Sequence, residues 1–160
     1  MTDKLRRVVL GLGNTLNCDE GVGVHAAARL AEQLGADGLA RYAVEIIDGG
    51  TLGLNLLPIV EEASHLLLLD AADTGQPPGT VIELTGDEIP LFSGVRLSQH
   101  QVTFQEVLAL ASFRSKLPAH LHLIAVQPDD ISLGVELSPT VEAVMDDILM
   151  RAESVLRRWG

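Results

Sequence analysis

The chain of 160 residues is short of three things, and each shortage excludes a class of protein. It has a single cysteine, Cys18, so neither an internal disulfide framework nor a Cys-x-x-Cys metal site can be built. It has no apolar run near the roughly 18 residues a membrane helix requires, the best candidate being "HLLLLDAA". It has 11 basic residues against 22 acidic ones, a formal net charge of −11, and its arginines are scattered apart from Arg6-Arg7 and Arg157-Arg158. Such a field repels a phosphate backbone, so no nucleic-acid partner is expected. Repeats and low-complexity linkers are also missing. The opening "MTDKLRRVVLGLGN" lacks a small-residue cleavage site and reads as a first strand rather than a signal peptide, which points to the cytoplasm.

What remains is 47% hydrophobic, enough for a single domain over residues 1–160 with its own core. Apolar, β-branched runs at 7–13, 44–48, 65–70, 80–84 and 121–126 suit strands buried inside a parallel or mixed sheet. Helical spacing lies between them. Ala27, Leu30, Ala31 and Leu34 repeat at three and four, with Gly35 at the expected stop. Phe104, Val107, Leu108 and Ala111 repeat the pattern before "KLP". Ser138 caps and Pro139 opens a closing helix, whose stripe runs through Val141, Val144, Met145, Ile148, Leu149, Ala152, Val155 and Leu156. Alternating strands and helices predict a three-layer α/β/α sandwich around a central, mostly parallel (mixed) sheet. Ligands of such folds bind at the carboxyl ends of the strands.

Three residues meet that positional test. Glu20, preceded by Asp19, follows the first strand; Asp70 ends the leucine-rich strand; His100 lies in "RLSQHQVTF", a polar loop before the third helix. Two oxygens and one imidazole nitrogen suit a divalent transition metal such as nickel or zinc, with positions left for other ligands. Paired carboxylates alone would instead support metal-free acid–base chemistry. Several other groups are assigned to structure. Asp19 can serve the helix dipole, and His120 and His122 share one strand face without a third ligand. Cys18 lacks the electropositive surroundings that activate a thiol. Thr51, after the Asp48-Gly49-Gly50 turn, is a candidate cap. The turn "GLGNTL" has Leu16 where a dinucleotide fingerprint needs its last glycine, so that cofactor is set aside.

"GLGNTLNCDEGVGVHAAARL", "VEIIDGGTLGLNLL", "LLLLDAAD", "SQHQVTFQEVLAL" and "LSPTVEAVMDDIL" together resemble the nickel–iron hydrogenase maturation endopeptidases, from Val8 to about Leu156. The resemblance implies a peptidase that removes the C-terminal extension of a hydrogenase large-subunit precursor after nickel insertion. It also implies that Glu20, Asp70 and His100 recognise the nickel carried by that precursor, with no permanently bound cofactor in the protease. Asp48 and Asp73 shape their loops, and Gln99 stands where some relatives have proline. The nickel either polarises the scissile carbonyl or serves as an anchor while Asp70 or Glu20 acts as base. The precursor is expected to be gripped by the loops at 14–24, 71–79 and 94–101, and the protease to be a monomer. Two rivals are weaker. Peptidyl-tRNA hydrolases share a strand and "GLGN", but continue with proline-glycine, and the charge disfavours tRNA. A nickel-sensing or chaperone module would hold the precursor without cutting it.

Overall fold

The computed structural model describes residues 4–89, 96–97 and 99–160, with side chains described for 4–89 and 104–160. In chain order the elements are β1 (Arg7–Leu12), α1 (Val22–Tyr42), β2 (Val44–Gly50), α2 (Leu57–Glu62), β3 (His65–Asp73), β4 (Val81–Thr85), β5 (Arg96–Leu97), α3 (Gln99–Phe113), β6 (His120–Val126), α4 (Pro139–Glu142) and α5 (Met145–Trp159). The main sheet has the order β2-β1-β3-β6-β4; β4 alone in this path is antiparallel, and β5 adds antiparallel to β3.

Alternation along β3 explains the three layers. Leu67 and Leu69 join a core with α1 and α5, while Leu66 and Leu68 join a second core with α2 and α3. All four are at most 2% exposed, and each buried leucine contributes about 1.5–3 kcal/mol. The expected α/β/α sandwich with a mixed, mostly parallel sheet is therefore the observed one. Its order also fixes the site. The chain runs from β1 out to β2, then crosses back to β3 on the other side of β1, so α1 and α2 cover opposite faces. The crevice at such a switch point opens at the carboxyl ends of β1 and β3.

Four local readings change. Gly35 does break α1 (φ 63°, ψ −176°), but helix resumes and continues to Tyr42. The closing helix is capped by Ser138, whose Oγ accepts from Val141 N at 3.3 Å, yet it is interrupted between α4 and α5 at Ala143 and Val144. Its stripe remains buried from Val141 (0%) to Leu156 (1%), except for the half-buried Val144 at the interruption. Thr51 caps nothing: the single 3-10 turn Gly53–Leu56 has Leu52 at its N-cap and no side-chain cap bond. Finally, β3 does not end at Asp70. It continues to Asp73 because β6 pairs with it through Ala71 and β5 pairs with Ala72 and Asp73.

Candidate active site

Glu20 is presented by a single 3-10 turn, Cys18–Gly21, between β1 and α1. Two glycines let this turn lie against the sheet. At Gly13 (φ 128°) a Cβ would overlap the carbonyl of Glu20, and at Gly23 it would overlap the carbonyls of Leu69 and Leu12. The start of α1 therefore rests directly on the ends of β1 and β3.

The opposite side of the turn is held by Asp19, which is 0% exposed. Its carboxylate accepts from Asp129 N and Asp130 N at 2.9 Å, and from Ser138 N and Ser138 Oγ at 2.8 Å. Backbone bonds reinforce the junction: Cys18 N donates to Gly134 O, Asp19 N to Asp130 O, and Gly134 N to Leu16 O. Cys18 has φ 46°, a left-handed conformation that a side-chain-bearing residue keeps only where its surroundings over-determine it. Asp19 thus welds the loop after β6 to the turn carrying Glu20. The structural reading of Asp19 holds, through partners in a distant loop rather than through a helix dipole.

Asp70 lies next to this turn. β1 pairs with β3 only as far as Leu69, so Asp70 sits where the β1 neighbour is lost. It is 2% exposed. Its Oδ1 accepts from Ala71 N at 2.8 Å, while Oδ2 is buried and has no hydrogen-bond partner among the described residues. Burial holds its pKa well above the usual carboxylate range, the nearby Glu20 charge adds to this, and the Ala71 N–H opposes it. A carboxyl group so placed favours either a proton or a cation. Asp73 is different: its Oδ1 accepts from Gly75 N and Gln127 Nε2, both at 3.2 Å, which ties down its loop as expected.

His100 falls in the first turn of α3 rather than in a preceding loop. Its backbone follows β5 closely, and Leu97 of β5 pairs with Ala72, two residues beyond Asp70. The His100 side chain lies outside the described residues. Among the described residues, no group of three histidine, cysteine, aspartate or glutamate side chains is arranged to hold a metal. The structure therefore brings Glu20 and Asp70 together and brings the backbone of His100 to the same end of the sheet. The 127–138 segment was missed as part of the site's support. Its signal was available: a long loop directly after a strand, at the carboxyl end where binding loops gather.

The α/β/α sheet thus carries an acidic centre at its switch point, an electrostatic setting that suits a cation or a proton better than a nucleotide phosphate. The relatives narrow this. The family model for hydrogenase maturation proteases matches residues 24–155, and the chain belongs to that family and is a peptidase. It is 40% identical over 157 residues to the hydrogenase expression/formation protein HupD of Rhodobacter capsulatus, covering 97% of this chain and 73% of that one. It is 35% identical to the hydrogenase 2 maturation protease of Escherichia coli, covering 98% and 93%. The solved structure of the hydrogenase maturating endopeptidase HybD from E. coli superposes with a TM-score of 0.85 at 35% identity, over 98% of this chain and 94% of that one. No helix among the described residues is long and apolar enough to cross a membrane.

Proposed function

We propose that this peptidase removes the C-terminal extension of a nickel–iron hydrogenase large-subunit precursor in the cytoplasm, once nickel has been inserted. Glu20, Asp70 and His100 recognise the nickel that the precursor carries, and the protease keeps no metal of its own. The observation that supports this most directly is the buried Oδ2 of Asp70, which has no hydrogen-bond partner among the described residues and lies near the Glu20 charge. Two neighbouring carboxyl groups cannot both ionise cheaply in a site of low dielectric. A divalent cation brought on the substrate's thiolates offsets that repulsion and displaces the Asp70 proton as it binds. Docking then depends on the cargo, and a precursor without nickel meets a site that resists carrying the negative charge.

The test uses intact-protein mass spectrometry on nickel-loaded and nickel-free precursor in parallel. Loss of a C-terminal peptide is expected only from the loaded form. Glu20→Gln, Asp70→Asn and His100→Ala should each prevent it. A loaded precursor that binds but is never shortened would replace the protease with a chaperone.

A further inference from the structure

Ten large apolar side chains stand exposed among the described residues, and six of them leave the sheet at one end. Leu16 (58% exposed) follows β1; Leu52 (54%) and Leu54 (58%) follow β2; Ile131 (53%), Leu133 (85%) and Val135 (66%) follow β6. All three loops rise from the carboxyl ends of parallel strands, the end that carries Glu20 and Asp70. Leu5 and Phe113, by contrast, sit at the amino end, before β1 and at the close of α3.

These side chains are not exposed because their backbone is loose. Gly134 N donates to Leu16 O at 2.8 Å and Cys18 N to Gly134 O at 2.9 Å. Asn17 Nδ2 donates to Ile131 O at 3.3 Å, and Ser132 N and Oγ both donate to Asp130 Oδ1. The Asp19 carboxylate fastens both ends of the 129–138 segment. A clustered apolar surface on a fixed backbone marks an interaction site, and its prior ordering lowers the entropic cost of binding.

We infer that this rim is the docking surface for the polypeptide of the hydrogenase large-subunit precursor around the bond to be cut. The inference rests on the proposed function, and continuity identifies the occupant. Leu16 and Glu20 belong to one short connection fused to the 131–135 loop, so a chain laid at the Glu20–Asp70 crevice must cross Leu16, Ile131 and Leu133. Leu52 and Leu54 border it on the β2 side. The carboxylates read the metal, and the rim reads the chain. The grip expected from residues 14–24 thus extends to two loops beyond those anticipated, while 94–101 falls largely outside the described residues.

The experiment compares the unmodified protein with an Ile131→Gln/Leu133→Asp double variant, a Phe113→Asp control and Glu20→Gln. It measures KM and kcat on nickel-loaded precursor, Kd for nickel-free precursor, and oligomeric state by sedimentation. The rim variant should raise KM and Kd about tenfold, with most of the loss in KM. Phe113→Asp should change neither. KM and Kd within twofold of the unmodified protein would overturn the proposal. So would a dimer that the rim variant dissociates without changing KM, since the occupant would then be a second copy. Glu20→Gln separates the two readings: it should stop cutting yet leave Kd for nickel-free precursor unchanged. If Glu20→Gln cuts normally, metal recognition fails, and the Kd values still decide the rim.

Discussion

At the amino end of the sheet the rings of His65 and His120 lie stacked, 4.2 Å apart and 12° from parallel, with Trp159 edge-on to His65 at 5.1 Å. At the carboxyl end Asp70 lies near the Glu20 charge, with one oxygen that has no partner among the described residues. Both ends draw ionisable groups away from water: Asp70 is fully buried, His65 and His122 are half-buried, and both ring nitrogens of His122 are buried without a partner among the described residues. The difference lies in what each can do about it. Burial lowers the pKa of His65 and of His122, so these rings shed charge by releasing a proton. Neighbouring contacts then complete the cluster: Ser64 Oγ lies 2.8 Å from His65 Nδ1, and Arg7 donates to the carbonyls of Tyr42 and Trp159 at 2.8 and 2.7 Å. Ring nitrogens of stacked imidazoles point along parallel planes and do not converge on one ion. Three histidines thus make a structural cluster, while two carboxyl groups at the switch point make the candidate site. Position in the fold, more than residue type, decides.

The sharpest way to break this comparison is to remove one group from each end. Glu20→Gln or Asp70→Asn should slow single-turnover cleavage by about a thousandfold, roughly 4 kcal/mol in the barrier. His120→Gln should leave it within about twofold. Equal losses at both ends would break the distinction. Next in size, Asp19→Ala strands the Asp129, Asp130 and Ser138 donors and should cost about 3 kcal/mol of unfolding free energy, read from urea midpoints. Unchanged midpoints would mean that the welded loop is not held by this carboxylate.

Asp70→Asn should also stabilise the chain. In the folded state the Asp70 carboxyl keeps its proton above its ordinary value of 3.8. Its contribution is therefore intact below pH 3.8 and is lost as pH rises through the folded value. The variant should melt higher at pH 7.5 by roughly 3 °C, about 1 kcal/mol, with the gain vanishing below pH 3.8. The smallest effect belongs to the histidines. Their folded pKa values lie below 6.5, so their contribution is full above 6.5 and is lost as pH falls through the folded values. Solvent screening should keep the fall in Tm to about 2 °C. His120→Gln, which removes a neighbouring like charge, should make the slope shallower.

The layers were legible because strand and helix periods are local. Four leucines before Asp70 announce a buried strand whatever surrounds them, and the same run placed Asp70 beside the crevice. Glu20 was legible for a related reason, since it follows a strand and opens a helix. Asp19 was not legible in its actual role, because its four hydrogen bonds come from residues 110 to 119 positions away. The extension of β3 to Asp73 was equally hidden, as it depends on pairing with β5. The break between α4 and α5 left no trace in an apolar stripe that continues straight through it.

The weld at Asp19 has a consequence for synthesis. Its partners reach as far as Ser138, so the clamp on the turn bearing Glu20 cannot form until Ser138 has left the ribosome. Contacts of such long span form late, since loop closure must precede any reward. A growing chain holds Glu20 and Asp70 long before Ser138 appears, yet until then it lacks the clamp that holds the Glu20 turn against the loop after β6. The clamp beside the carboxyl pair is therefore absent from any chain that has not yet reached Ser138.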